Sequence, residues 1–159
     1  MKKIYLGSDH AGFELKQRIE KYFDQIGITY EDLGAFELDK DDDYPDFAVK
    51  VASKVQQTKA QGIIICGSSV GVCIVANKFK GVYAASGNNI KEAKISREHN
   101  DTNVLCLAGG QTLKKNNLGL SLSQAKKIID VWLKTKPSDA TRHVRRINKI
   151  KKIEKSNLK

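Results

Sequence analysis

Leu15, Ile19, Tyr22, Phe23 and Ile26 recur three or four residues apart in an otherwise polar stretch, the spacing that lines one face of a helix. Gly27 follows where a left-handed C-cap glycine belongs, so the pattern predicts a helix over about 11–26. The same reading predicts a helix from about Pro45, a residue suited to a first helical turn, with Phe47, Val51 and Val55 on one face. Further helices are expected at about 70–78, 90–98 and 121–134, the last carrying Leu122, Ala125, Ile129, Val131, Trp132 and Leu133. Between them lie short β-branched runs at 3–7, 28–33, 62–66, 81–86 and 103–107, too short for helices and bounded by turn residues.

Five strands alternating with five helices predict an α/β doubly wound fold, a five-stranded parallel sheet of order 2-1-3-4-5 with helices on both faces. Right-handed crossovers put every strand C-terminus on one edge. Asp9 and His10 end the first strand and Cys66 ends the third, so these distant residues are expected to meet at the switch point where such sheets bind ligands. Beyond Pro137, a helix over about 141–154 carries Val144, Ile147, Ile150 and Ile153 on a stripe too thin to hold it alone, which predicts docking on a partner subunit. Arg142 and Arg146 share another face of it, and two planar guanidiniums suit a phosphate dianion.

Residues 1–159 fit one domain of this size. No run approaches 18 apolar residues and the first residues lack a signal-like apolar stretch, so a cytoplasmic protein is expected. Cys66, Cys73 and Cys106 show neither paired nor zinc-type spacing, which argues against disulfides and a metal centre. The net charge of +10 suggests nucleic acid until its distribution is examined. From Lys134 onward ten Lys or Arg face only Asp139 and Glu154, whereas 31–46 is strongly acidic around Asp41, Asp42 and Asp43. Charge gathered in a terminal helix is a solvated face rather than a basic surface spread across the domain.

Cys66 stands where a buried strand hands over to Gly67, Ser68, Ser69, Val70 and Gly71 and then to a helix. Backbone N–H groups at such a junction point outward and favour negative charge, which suits both a thiolate and an oxyanion. The three histidines, His10, His99 and His143, each sit in a polar cluster near an element end. Histidine exchanges protons near neutral pH.

The order Gly7-Ser8-Asp9-His10-Ala11-Gly12, Asp43-Tyr44-Pro45-Asp46, Cys66-Gly67-Ser68-Ser69-Val70-Gly71, Ala76-Asn77-Lys78, His99-Asn100-Asp101-Thr102-Asn103 and Arg142-His143-Val144-Arg145-Arg146 closely resembles ribose-5-phosphate isomerase type B. The resemblance implies an aldose–ketose isomerase without metal or other cofactor, acting in the pentose phosphate pathway as a homodimer or homotetramer with shared sites. It implies Cys66 as the base, Gly67, Ser69, Val70 and Gly71 as the anion hole, Ser68 as an aid to proton movement between oxygens, and His99 as the ring opener with Asn100 beside it. Asp9 matches a sugar-hydroxyl contact, and His10, Arg142 and Arg146 match phosphate contacts.

Three positions depart from the family pattern. Ser69 replaces a usual glycine; Val72 stands where a cysteine-free branch carries a glutamate base; Gly110 stands where an arginine commonly binds phosphate. Restoring arginine at 110 is therefore expected to tighten phosphate binding, with Lys114 and Lys115 as the next cations to consider. The competing readings are a six-carbon sugar phosphate isomerase acting on allose 6-phosphate or galactose 6-phosphate, and a non-catalytic phosphate- or RNA-binding module. The second leaves Cys66, Ser68 and His99 together without a purpose.

Overall fold

The computed structural model describes residues 3–110 and 119–157. Strand β1 (Ile4–Ser8) leads to α1 (His10–Ile26), β2 (Tyr30–Asp32), α2 (Tyr44–Thr58), β3 (Gln61–Cys66), α3 (Val70–Ala76) and β4 (Ala84–Ser86). Then follow α4 (Ile90–Asn100), β5 (Val104–Ala108), α5 (Leu122–Lys134) and α6 (Thr141–Asn157). The strands form one parallel sheet of order β2-β1-β3-β5-β4.

The α/β class stands, but the last two strands exchange places relative to the expected 2-1-3-4-5. Burial explains the exchange. Every residue of β5 is buried, which requires a neighbour on both sides, whereas the three residues of β4 are only half-buried and suit an edge. β4 begins at Ala84 rather than 81 because Asn103 takes the Tyr83 N–H and donates to the Gly81 carbonyl, holding 81–83 as a turn. α3 ends at Ala76 because the Asn77 amide clamps both the N–H and the carbonyl of Ala84.

The sheet separates two apolar layers. On one face Leu15, Ile19 and Phe23 of α1 and Ile128, Ile129 and Trp132 of α5 cover Leu6, Ile63, Ile65, Leu105 and Leu107. On the other, Val51, Ala52 and Val55 of α2 and Val72 and Ala76 of α3 cover Tyr5, Ile64, Cys66, Val104 and Cys106. Ile63, Ile64 and Ile65 are wholly buried, each worth roughly 1.5–3 kcal/mol of apolar transfer, so the isoleucine run anchors the strand that ends at Cys66. Gly62 is small of necessity, since a Cβ there would lie 2.7 Å from Val51.

α6 is held by few residues. His143 and Ile147 are its buried side chains, and Glu154 reaches the Gly81 N–H and the Tyr83 hydroxyl. Val144, Ile150 and Ile153 stay exposed. Among the described residues no helix is long and apolar enough to cross a membrane.

Candidate active site

Three loops meet at the C-terminal edge of β1, β3 and β5. Asp9 follows β1 and caps α1, its carboxylate accepting the Gly12 N–H at 2.9 Å. Burial raises its pKa above the usual carboxylate value, opposed by that hydrogen bond. Asp9 also donates its own N–H to the Ile65 carbonyl at 3.3 Å, so the first loop is tied directly to β3. Gly12 permits this approach, because a Cβ would sit 2.6 Å from the Ile65 carbonyl oxygen.

Cys66, buried, closes β3 opposite Ala108 and accepts the Gly109 N–H on its carbonyl at 2.8 Å. Gly67 and Ser68 are half-buried beyond it. Ser69 caps α3 in a left-handed conformation, φ +68°, a geometry that glycine adopts more easily. Its hydroxyl donates to Ser86 at 3.0 Å, tying the turn to β4 and favouring serine there. Ser68 Oγ accepts the Val70 N–H loosely, at 3.4 Å, leaving that donor open to a stronger acceptor. A Cβ on Gly71 would meet the Tyr44 ring at 2.6 Å, so Tyr44 lies over the loop.

On the other side of Asp9, His10 pairs with Asp42. His10 Nδ1 lies 2.6 Å from Asp42 Oδ1, and the His10 N–H donates to the same oxygen at 3.0 Å. The Asp42 hydrogen bond raises the His10 pKa, with further help from the charges of Asp9 and Asp39, against the lowering effect of burial. Among the described residues, Asp9, His10 and Asp42 bring potential metal-ligand atoms within 4.8 Å of one another. At 2.6 Å, however, the His10–Asp42 contact is that of a shared proton, closer than two ligands on one ion normally sit.

The remaining sequence-predicted residues are elsewhere. α4 runs back against the strand direction, so His99 and Asn100 at its end lie near the start of β5, while Cys66 pairs with the end of β5. The length of β5, four residue rises from Val104 to Ala108, separates those levels by about 13 Å. His99 is half-buried with its ring 4.1 Å from that of His143, centroid to centroid. Arg142 Nε donates to His143 Nε2 at 3.0 Å, and Arg142, Arg146 and Asn100 are exposed. The fold thus places the sequence-predicted residues in two clusters at opposite sheet edges: Asp9, His10 and 66–71 at one, and His99, Asn100, Arg142 and Arg146 at the other.

Exposed apolar surface adjoins both. Val70 and Ile74, each 56% exposed, share one face of α3 beside the Cys66 loop, and Val144 and Ile150 lie on the same helix as the arginines. Sequence reasoning missed Asp42, Tyr44 and His143 as members of these clusters. Asp42 was hidden within an acidic run; Tyr44 was visible in the quoted Asp43-Tyr44-Pro45-Asp46 motif, and His143 between two arginines.

Gly110 corrects an expectation. A Cβ there would lie 2.5 Å from the Gly67 carbonyl oxygen, so a larger residue cannot enter without moving the loop that follows Cys66. Lys114 and Lys115 lie outside the described residues.

Two further thiols lie nearby. Hydrogen bonding with Cys106, then Ser86 and Asn77, lowers the Cys73 thiol to about 7, while burial pushes the Cys106 thiol well up.

A family model described as Ribose/Galactose Isomerase matches residues 4–150. A curated relative, the probable ribose-5-phosphate isomerase B of Mycoplasma pneumoniae, is 41% identical over 148 residues, covering 92% of this chain and 91% of its own. The ribose-5-phosphate isomerase B of Mycolicibacterium paratuberculosis is 37% identical, with 97% and 92% coverage. Among solved structures, that of the Mycoplasma genitalium ribose-5-phosphate isomerase B with bound ribulose 5-phosphate superposes with a TM-score of 0.87 at 41% identity, over 98% of this chain and 97% of that one.

Proposed function

The chain belongs to the ribose/galactose isomerase family, and we propose that it interconverts ribose 5-phosphate and ribulose 5-phosphate with Cys66 as the base. The observation that carries the reading is the meeting of Cys66, the 67–71 loop, Asp9 and His10 at one sheet edge, in a chain so similar to a relative solved with ribulose 5-phosphate.

The chemistry follows from the parts. The Cys66 thiolate takes the proton from C2 of the open-chain aldose; the C–H electron pair becomes the C1–C2 double bond and the C1 carbonyl oxygen becomes an oxyanion. N–H groups of the 67–71 loop stabilise that oxyanion, which is worth most where they are already aimed at it. Cys66 returns the proton to C1, while the proton on O2 moves to O1 with Ser68 assisting, leaving a carbonyl at C2. Asp9 holds a sugar hydroxyl, and His10 contacts the phosphate.

His99 opens the furanose ring, with Asn100 beside it and Arg142 and Arg146 on the phosphate. In one chain these groups lie about 13 Å from the Cys66 level, too far to act on the same sugar. The reading therefore requires a second copy of the chain, whose His99 edge completes the Cys66 edge of the first. Exposed Val70, Ile74, Val144 and Ile150 offer the apolar surface for such pairing.

The decisive experiment is a coupled assay of the purified protein with ribose 5-phosphate, allose 6-phosphate and galactose 6-phosphate. The expected result is a kcat/KM for ribose 5-phosphate at least tenfold above either hexose phosphate. The reverse order would assign a six-carbon substrate, and no turnover with any would overturn the isomerase reading.

A further inference from the structure

Asp42 has no part in the chemistry derived so far, yet its side chain is 91% buried behind His10 and engages that residue twice, at the ring and at the backbone N–H. Its Oδ1 accepts both bonds, while Oδ2 is buried without a hydrogen-bond partner. A buried, half-satisfied carboxylate is costly unless its charge serves a neighbour, and among the described residues its ion-pair partner is His10. Holding Nδ1–H leaves Nε2–H as the ring donor not engaged by Asp42, on a side chain 34% exposed at the sheet edge beside Asp9.

The surroundings make protonation necessary for an anion subsite. Among the described residues, the charged groups that bear on His10 are Asp9 on its own loop and Asp39 and Asp42 on the acidic loop, all carboxylates. With a neutral imidazole this corner would repel a phosphate dianion. An imidazolium offers a charge-assisted donor instead, roughly twice as strong as a neutral one.

We propose that Asp42 is a positioning residue that keeps His10 as an imidazolium with Nε2–H directed at the substrate phosphate, sustaining phosphate affinity above neutral pH. This rests on the isomerase reading for its kinetic test but not for its binding test. Asp42→Asn removes the charge and keeps the shape, Asp42→Glu restores the charge, and exposed Asp41→Asn is the control. The His10 titration is followed by NMR, inorganic phosphate binding by calorimetry, and KM and kcat for ribose 5-phosphate from pH 5.5 to 8.5.

Asp42→Asn should lower the His10 pKa and weaken inorganic phosphate binding about fivefold at pH 8 but hardly at pH 5.5, where His10 is charged in both proteins. KM should follow the same pH-dependent ratio with a smaller change in kcat, and Asp42→Glu should recover part of it. A ratio constant with pH, or an unchanged His10 titration, would overturn the proposal and leave Asp42 a purely structural residue. If Asp42→Asn fails to fold, Asp42→Ser carries the test: a His10 titration and phosphate affinity unchanged by loss of the carboxylate refute the proposal. A wild-type protein inactive on every sugar phosphate would sink the isomerase reading alone, since NMR and calorimetry need no turnover.

Discussion

His143 lies against His99 with ring centroids 4.1 Å apart and planes 31° from parallel, while its Nε2 accepts a hydrogen bond from Arg142. Burial, then the nearby His99, Arg142 and Arg146, lowers the His143 pKa, so it stays neutral near pH 7. An imidazolium in its place would lose the Arg142 bond and add a third charge beside two arginines. His143 thus fixes the ring that the mechanism assigns to furanose opening. A buried histidine with a depressed pKa contributes stability that is present above its unfolded value of about 6.5 and lost as pH falls through the folded value. The thermal midpoint should therefore fall more steeply between pH 7 and 5 in the wild type than in His143→Gln, and parallel curves would show that His143 does not drive the acid sensitivity.

Ring opening can be separated from proton transfer through His99. His99→Asn should slow conversion of ribose 5-phosphate, which is mostly cyclic, far more than that of ribulose 5-phosphate, which cannot close the furanose. The comparison uses initial rates, because the equilibrium constant is fixed. Equal losses in both directions would remove His99 from ring opening.

Cys66→Ala should lower kcat by about a hundredfold or more, the usual cost of losing a general base, while the fold persists. Cys73 makes the control informative, since it is half-buried with a thiol lowered to about 7 and will react with alkylating agents. Cys73→Ser should retain most of the turnover. If Cys73→Ser is the inactive variant and Cys66→Ala turns over within tenfold of wild type, the base has been misassigned.

The sheet, its helices and the meeting of Asp9, His10 and Cys66 were legible from the sequence because strand runs and helical periodicity leave few topologies for an alternating chain. The β5–β4 exchange was not, because both candidate strands are short and apolar and only burial on two sides distinguishes them. The pattern singled out His99 and Arg142, yet their distance from Cys66 follows from the direction of α4, which a residue pattern reveals only after the strands are placed. Asp42 stood among four neighbouring aspartates, and nothing in the run marks which one turns inward.

A site shared between two copies, as proposed, predicts complementation. Cys66→Ala and His99→Asn are each impaired at every site when pure, but a mixed dimer contains one site with both groups intact and one with neither. Random reassortment of equal amounts should restore about a quarter of wild-type activity if the functional unit is a two-fold dimer. The measurement is ribose 5-phosphate turnover before and after mild dissociation and remixing, with the separate variants as baselines. Failure to recover activity in a demonstrated mixed dimer would show that both groups serve one chain.

Gly110 tests how tightly the Cys66 loop is seated. Family resemblance alone would have Gly110→Arg add a phosphate ligand and lower KM several-fold. The structure reverses the sign, because even the first side-chain carbon would stand 2.5 Å from the Gly67 carbonyl oxygen, and Gly110 is itself buried. The obstacle is backbone rather than the end of a flexible side chain, so relief requires moving the loop to which the proposed mechanism gives the oxyanion. Misplaced donors weaken transition-state stabilisation, and losing one costs about 3–4 kcal/mol in well-studied cases. Gly110→Ala, which adds the clash without a charge, should therefore lower kcat at least tenfold with a smaller effect on KM, and Gly110→Arg should do no better. A folded Gly110→Arg variant with lower KM and unchanged kcat would show that the 67 and 110 segments separate readily and that an arginine here reaches the phosphate after all.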